Sequence, residues 1–268
     1  MTGPHPLLSR ILLTNDDGVN ASGLKVLEEI AAALCDDVWL VAPETEQSGA
    51  GHSLTLTQPC RIRKLGDRRF SVQGTPTDCV MLGLNHLMKD ARPTLVLSGV
   101  NRGVNLADDV TYSGTVAGAM EGTLAGVPSI ALSQAISPET RRADFSIAGR
   151  HGADIIRKLV IHGWGENVLL NVNFPAPDAA KGAAGDAKGV KVTQQGKRDL
   201  GLLKIEERRD PRGFPYYWFG LSRGYGEPGQ ETDLKAVRDG WISVTPLHLD
   251  LTHFKTRDEM APVIDEKF

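Results

Sequence analysis

Ile11-Leu12-Leu13-Thr14-Asn15-Asp16-Asp17-Gly18 joins an apolar run directly to two adjacent carboxylates and a glycine. An uninterrupted apolar run that ends at turn residues is typical of a buried strand in a parallel sheet. In open α/β sheets the ligand crevice lies at the carboxyl ends of the strands. Asp16 and Asp17 are therefore expected at the mouth of such a crevice.

Asp16 and Asp17 have no basic residue beside them in the sequence. Adjacent carboxylates repel each other unless one is protonated or a cation lies between them. Hard divalent cations such as Mg²⁺ and Mn²⁺ prefer oxygen ligands of this kind, so the pair predicts a divalent metal site. The alternative interpretation of the same residues is a solvated Asp-Asp-Gly turn.

The composition is that of an ordinary globular protein, with 268 residues, of which 41% are hydrophobic and 24% charged. This length fits one large domain or two small ones. The net charge of −3 indicates no basic surface for a nucleic-acid polymer or an anionic membrane. No apolar run approaches the roughly 20 residues that span a bilayer. The three cysteines include no CxxC pair, which favours reduced thiols and a cytoplasmic location.

Strand and helix signals alternate through the first part of the chain. After the first strand, strand candidates lie at residues 38–41, 94–97, 129–132 and 168–172. Helix signals between them include Thr75-Pro76-Thr77-Asp78, in which threonine can cap and proline suits the first turn. A further helix is expected over residues 114–124, and strand-like runs at 54–57 and 70–72 predict a hairpin insertion. This alternation predicts an α/β fold, with a parallel sheet covered by helices on both faces.

The sequence changes in character after residue 178. Residues 179–189 contain only Ala, Gly, Lys and Asp, which predicts a flexible insertion within a single domain overall. Residues 190–268 follow, and Asp210-Pro211-Arg212-Gly213 fits a turn with proline second and glycine fourth. The strands on either side of this turn would form a long hairpin with more apolar surface than it can bury alone. We expect the hairpin to pack either on another subunit or back on its own core.

A second group of polar residues follows the later strands. Asn101 and Asn105 come after Leu97, and Ser113-Gly114-Thr115 directly precedes a helix of small residues. Free N–H groups at a helix start and the helix dipole favour anions, although a plain N-cap is the alternative for this triplet. A carboxylate pair and a phosphate-binding helix start in one parallel sheet are what metal-assisted phosphoester hydrolysis needs.

Several blocks of the chain resemble the SurE (survival protein E) nucleotidases. They are Asn15-Asp16-Asp17-Gly18, Gln47-Ser48-Gly49, Gly74-Thr75-Pro76-Thr77-Asp78-Cys79, Ser98-Gly99-Val100-Asn101-Arg102-Gly103-Val104-Asn105 and Tyr112-Ser113-Gly114-Thr115-Val116. The resemblance implies a Rossmann-like catalytic core over residues 1–178, with a protruding β-hairpin and a C-terminal extension that form a homodimer or homotetramer. It also implies a metal-dependent nucleotidase acting on nucleoside 5′- and 3′-monophosphates, and sometimes on short polyphosphate.

The same resemblance implies roles for individual residues. The metal ligands would be Asp16, Asp17, Ser48 and Asn101, which hold one Mg²⁺ or Mn²⁺ per subunit. The phosphate would be held by Asn105, Ser113, Gly114 and Thr115. Asp16 or Asp17 would accept the proton of the attacking water, and the sequence does not decide which. Ala107 departs from the family, which usually has glycine at this position.

Two other functions fit the same residues. A phosphatase that forms an aspartyl-phosphate needs an aspartate that is free to attack phosphorus. A non-catalytic nucleotide- or metal-sensing oligomeric protein would bind these ligands without turnover. NAD binding is rejected, because Leu54 occupies the place of the third glycine after Gly49 and Gly51.

Overall fold

A computed structural model describes residues 8–177, 185–198, 203–221 and 229–266. Within these residues the strands are β1 (Ile11–Thr14), β2 (Val38–Pro43), β3 (Arg61–Gly66), β4 (Arg69–Gln73), β5 (Leu95–Arg102), β6 (Ser129–Gln134), β7 (Val168–Phe174), β8 (Val190–Val192), β9 (Leu203–Arg209), β10 (Pro215–Leu221) and β11 (Ile242–His248). The α-helices are α1 (Ser22–Ala32), α2 (Pro76–Leu82), α3 (Gly114–Leu124), α4 (Ser146–His162), α5 (Asp233–Arg238) and α6 (Phe254–Ile264). In these described ranges, no helix has the length and apolar character needed to cross a bilayer.

Nine strands form one sheet in the order β3-β4-β2-β1-β5-β6-β7-β11-β8. The central pairs are parallel, whereas β3 runs antiparallel to β4 and β11 runs antiparallel to β7. The predicted α/β class is confirmed. β1 lies between β2 and β5, where the order of the strands along the chain reverses. Such a switch point is where ligands bind in doubly wound sheets.

The apolar run of β1 is explained by burial on both faces of the sheet. Ile11 and Leu13 belong to the core that includes residues of α1 and α4, whereas Leu12 belongs to the opposite core, which includes residues of α2. Helices thus cover both faces, as predicted. Burial of each such side chain contributes about 1.5–3 kcal/mol. The packing of this strand fixes the residues that directly follow it.

The predicted start of α2 is confirmed in detail. The Asp78 backbone N–H donates to the Thr75 hydroxyl at 3.2 Å, and the Thr75 backbone N–H donates to Asp78 Oδ2 at 2.8 Å. The two residues therefore form a capping box, with Pro76 in the first turn. The predicted bounds of α3, residues 114–124, also match the structure.

The predicted hairpin insertion forms with a different first strand. β4 pairs antiparallel with β3, whereas residues 54–57 lie in a loop, so the predicted strand at 54–57 is wrong. Thr55 instead donates two hydrogen bonds to Asp78, from its N–H at 3.0 Å and from its hydroxyl at 2.6 Å. The Asp78 side chain thus satisfies the Thr55 backbone N–H, which has no strand partner.

The turn predicted at Asp210-Pro211-Arg212-Gly213 joins β9 and β10 into an antiparallel hairpin, and the Gly213 N–H donates to the Asp210 carbonyl at 2.9 Å. β8 and β11 join the main sheet, where β11 lies between β7 and β8. One sheet therefore contains strands from residues 1–178 and from residues 190–268. The division into core, insertion and terminal segment stays a prediction, and residues 179–184 of the insertion lie outside the described residues.

Candidate active site

The two carboxylates after β1 lie against the start of α3. The Thr115 hydroxyl donates a hydrogen bond of 2.5 Å to Asp16 Oδ1, and the Thr115 backbone N–H also bonds to Asp16. Asp16 is 4% exposed. Asp17 is less buried, and its Oδ2 accepts the backbone N–H of Arg102 at 2.9 Å. The carboxylate pair therefore connects the ends of β1 and β5 with the first turn of α3.

The pKa values of both carboxylates are raised. Burial raises the pKa of Asp16 from 3.8 to about 6, hydrogen bonds from Thr115 oppose this, and the charge of Asp17 adds to it. Burial also raises the pKa of Asp17. The hydrogen bond from the Arg102 N–H opposes this rise, and the charge of Glu46 adds to it. The surrounding groups therefore do not fully compensate the two negative charges. A bound cation would supply the missing positive charge.

The loop after β2 brings Ser48 to the same strand end. The Gln47 backbone N–H donates to the Asp16 carbonyl oxygen at 2.7 Å, so the residue before Ser48 is tied to the carboxylate pair. The Ser48 hydroxyl donates to Glu46 Oε1 at 2.9 Å. The charge of Glu46 also acts on Asp17, which places this loop beside the second carboxylate.

Asn101 lies on a strand and not in the predicted loop. β5 continues through Arg102, because its last residues pair with β6, with Asn101 opposite Ser133. The strand end predicted at residue 97 is therefore wrong. The Asn101 Nδ2 donates to the Gly103 carbonyl at 3.0 Å, which leaves the side-chain oxygen as the atom suited to bind a cation.

The candidate metal ligands offer three kinds of oxygen donor. These are the carboxylates of Asp16 and Asp17, the hydroxyl of Ser48 and the amide oxygen of Asn101. Among the residues that the structure describes, no group of three or more His, Cys, Asp or Glu side chains could hold a metal ion. A site here would therefore need the neutral oxygens as well as the carboxylates. Such a donor set fits a hard divalent cation, and the raised pKa values give the electrostatic reason for one.

The triplet Ser113-Gly114-Thr115 begins α3, and its first two residues have separate structural roles. The Ser113 hydroxyl accepts the Val116 N–H at 3.0 Å, which confirms the N-cap. A Cβ atom at Gly114 would lie 2.8 Å from Asp16 Cβ and 3.0 Å from Asp16 Oδ2. Only glycine allows the helix to approach the carboxylate this closely.

Asn105 is held by the ends of β6 and β7. Its Nδ2 donates to the Ser133 hydroxyl at 2.8 Å, and its backbone N–H donates to Asn173 Oδ1 at 2.9 Å. Its carbonyl oxygen accepts N–H groups from Asn171 at 2.8 Å and from Asn173 at 3.1 Å. The backbone on both sides of Asn105 is therefore fixed by buried side chains.

Residues 11–201 match the family described as Survival protein SurE. The chain belongs to the SurE family. It is 55% identical to the 5′-nucleotidase SurE of Parvibaculum lavamentivorans, over 92% of this chain and 88% of that protein. It is also 55% identical to the 5′-nucleotidase SurE of Brucella anthropi, over 95% of this chain and 97% of that protein. The crystal structure of the SurE protein from Aquifex aeolicus has a TM-score of 0.80 and 41% identity, and covers 96% of this chain and 100% of that one.

The predicted family and fold are thereby confirmed, and the names of the relatives support the predicted nucleotidase. Within this SurE fold, direct contacts join Asp16 to Gly114 and Thr115. Asn105 makes its hydrogen bonds to β6 and β7 instead. The individual roles of the predicted site residues stay predictions.

Sequence reasoning missed the distant hydrogen bonds of two aspartates, Asp78 and Asp233. Asp78 belongs to the predicted start of α2, but the two hydrogen bonds that it accepts from Thr55 reach across 23 positions of sequence. Asp233 accepts the N–H of Ala107 at 2.8 Å across 126 positions. No local pattern marks either contact, and only a capping threonine before Asp233 could have indicated a helix start there.

Proposed function

We propose that this protein is a metal-dependent nucleotidase that hydrolyses nucleoside 5′- and 3′-monophosphates to nucleoside and phosphate, with short polyphosphate as a further substrate. The observation that carries this proposal is the contact between Asp16 and the first turn of α3, which joins the candidate metal ligands to the candidate phosphate site. The relatives named 5′-nucleotidase SurE support the same activity.

The candidate metal ligands are Asp16, Asp17, Ser48 and Asn101, which would hold one Mg²⁺ or Mn²⁺ per subunit. When bound, such an ion offsets the charge of the phosphate, polarises its oxygen atoms and lowers the pKa of water. The buried Asp16 and the partly buried Asp17 suit this purpose, because their pKa values are raised despite the hydrogen bonds from Thr115 and Arg102.

The protein's own groups would position the substrate and move the proton. The start of α3 lies at the positive end of the helix dipole and would bind the phosphoryl oxygens through the Gly114 N–H, together with Asn105, because the Thr115 and Val116 N–H groups bond to Asp16 and Ser113. These groups stabilise the negative charge that develops during transfer. Asp16 or Asp17 would accept the proton of the attacking water.

The two alternative functions have less support. An aspartyl-phosphate mechanism needs a carboxylate free to attack phosphorus, whereas both Asp16 and Asp17 serve as ligands of the proposed cation. A sensor without turnover is not favoured either, since the relatives are named as nucleotidases.

Removal of divalent metal should abolish the release of phosphate from AMP. We expect treatment with a chelator, followed by desalting, to leave only background activity, and addition of Mn²⁺ or Mg²⁺ to restore it, because the two carboxylates alone repel the phosphate. Phosphate release is measured with AMP and with 3′-AMP as substrates. Undiminished activity after chelation would contradict the metal requirement, and nucleotide binding without turnover under either metal would favour the sensor.

We also propose a homodimer or homotetramer in a cytoplasmic setting. In α6, Met260, Val263 and Ile264 are each more than half exposed, and no residue of this helix is buried. Trp218 and Phe219 on β10 are 60% and 72% exposed. Apolar surface of this extent commonly marks a protein interface. The cysteines Cys35, Cys60 and Cys79 are free thiols, in keeping with a reducing compartment.

Aspartate substitutions at Val263 and Ile264 should lower the molar mass of the particle in solution. The expected reason is that a buried charge at a subunit contact is strongly unfavourable. Mass is measured by light scattering after size exclusion. Leu56→Asp is the control, because Leu56 is 84% exposed and lies far from α6 in the sequence. An unchanged mass for the α6 variant would argue against its role in assembly.

A further inference from the structure

Residues 106–112 connect Asn105 to Ser113, the two ends of the proposed phosphate site. They contain a short 3₁₀ helix, Ala107–Thr111, whose first residue has a φ of +52°. This left-handed conformation is unfavourable for any residue with a side chain. Since Ala107 adopts it nevertheless, contacts from elsewhere in the chain must hold the residue in place.

Those contacts come from the C-terminal part of the chain. Asp233, at the start of α5, accepts the Ala107 N–H on its Oδ2 at 2.8 Å, and Gln195 Nε2 donates to the Ala107 carbonyl at 3.0 Å. The other Asp233 oxygen, Oδ1, accepts the N–H groups of Gly196 at 2.9 Å and of Leu234 at 2.7 Å. Asp233 is fully buried, so these three N–H groups have no water to replace it.

The same segment contacts the next two residues of the 3₁₀ helix. The Arg198 backbone N–H donates to Asp108 Oδ2 at 2.7 Å, and the Arg198 Nε donates to Asp109 Oδ1 at 2.8 Å. Close approach is possible because residue 196 is glycine, where a Cβ atom would lie 2.9 Å from Asp233 Oδ1. Residues 195–198 and Asp233 therefore hold residues 107–109 in place through hydrogen bonds.

We propose that Asp233 is a positioning residue for phosphate binding, which it serves by holding Ala107 in its left-handed turn. This inference rests on the proposed function, since it assumes that Asn105 and the start of α3 bind the phosphate. Loss of the Asp233 carboxylate would leave three buried N–H groups without an acceptor or force them to find another. Ala107 would then relax toward an ordinary φ and shift Ser113 relative to Asn105, which β6 and β7 hold in place.

The test compares Asp233→Asn with Asp239→Asn, each in the full chain with Mn²⁺. Asparagine has nearly the same size as aspartate but presents an NH₂ group to one of the N–H donors. Asp239 is the matched control, because it lies directly after α5 and pairs with Lys235 on the surface. We expect Asp233→Asn to lower kcat/KM for AMP by about ten- to a hundredfold, as small displacements of binding groups do. The dissociation constant of inorganic phosphate, measured by calorimetry, should rise in parallel, while Asp239→Asn stays within about twofold of the wild type.

A second substitution separates positioning from a loss of stability. Glycine adopts a positive φ without strain, so Ala107→Gly in the Asp233→Asn background should recover about threefold or more of the lost phosphate affinity. The melting temperature of the double variant should remain close to that of Asp233→Asn. If Asp233→Asn does not fold, Gln195→Ala, which removes the exposed partner of the Ala107 carbonyl, should show a smaller loss in the same direction.

The possible outcomes distinguish this inference from the proposed function. Wild-type kcat/KM and phosphate affinity in Asp233→Asn or in folded Gln195→Ala would overturn the positioning role and leave the nucleotidase intact. Wild-type protein that binds phosphate but releases none from AMP would overturn the nucleotidase, while a weaker phosphate affinity in Asp233→Asn would still support positioning. If Ala107→Gly in the Asp233→Asn background restores the melting temperature but not the phosphate affinity, the positioning role would also be overturned.

Discussion

Replacement of Asp16 by asparagine should lower AMP hydrolysis by about a thousandfold or more, because several kcal/mol of electrostatic stabilisation are lost with the charge. The fold should persist, since asparagine has nearly the size of aspartate and keeps a side-chain oxygen. This oxygen can accept the hydrogen bond that the Thr115 hydroxyl donates to Asp16 Oδ1 at 2.5 Å in the wild type. Activity is measured with Mn²⁺ and with Mg²⁺. Wild-type rates in both Asp16→Asn and Asp17→Asn would remove these residues from the mechanism.

The same substitution should make the metal-free protein more stable at neutral pH. The pKa of Asp16 is about 6 in the folded protein against an ordinary 3.8, so ionisation of this group opposes folding above pH 6. The difference between these two pKa values corresponds to a gain of at most about 3 kcal/mol in the free energy of unfolding for Asp16→Asn at pH 8. As the pH falls from 6 to 4, the folded wild type takes up the proton and the gain disappears.

Thermal unfolding of chelated protein at pH 8 and at pH 4 measures this effect. Asp90→Asn is the control, because it removes one carboxylate charge from an exposed position. A melting temperature of Asp16→Asn below that of the wild type at pH 8 would mean that the charge of Asp16 is not destabilising in the metal-free fold.

Gly114→Ala should lower kcat/KM for AMP by about a hundredfold and weaken Mn²⁺ binding, because displacement of catalytic groups by a fraction of an ångström is costly. The new Cβ atom would lie 2.8 Å from Asp16 Cβ and 3.2 Å from Pro76 Cγ. Neither neighbour can move easily, since both are buried. Either α3 or the carboxylate must therefore shift, and we expect a loss of about 1–3 kcal/mol in the free energy of unfolding.

Gly149→Ala is the matched control for this substitution. Gly149 is exposed within α4, where a Cβ atom would lie 3.8 Å from Val26 Cγ1, an ordinary contact. Alanine is favoured over glycine inside a helix by about 0.5–1 kcal/mol, so this variant should be slightly more stable and fully active. Equal activity in Gly114→Ala and Gly149→Ala would show that the approach of α3 to Asp16 has no part in the reaction.

The sequence by itself determined the features that depend on neighbouring residues. The run at Ile11–Thr14 predicts a strand buried on both faces, Thr75 and Asp78 predict the start of α2, and Asp210 to Gly213 predict the hairpin turn. Each of these follows from periodicity, capping or turn chemistry within a few positions. The likeness of five short motifs to one family added the proposed roles of individual site residues, which no periodicity could assign.

Tertiary structure alone decided the features that depend on distant partners. β5 continues past Gly99 because β6 offers pairing for Asn101 and Arg102. Residues 54–57 form a loop in which Thr55 bonds to Asp78. The left-handed turn at Ala107 is held from 126 positions away by Asp233. The physical reason is that these backbone groups satisfy their hydrogen bonds outside their own segment, and the sequence around them does not contain the partner.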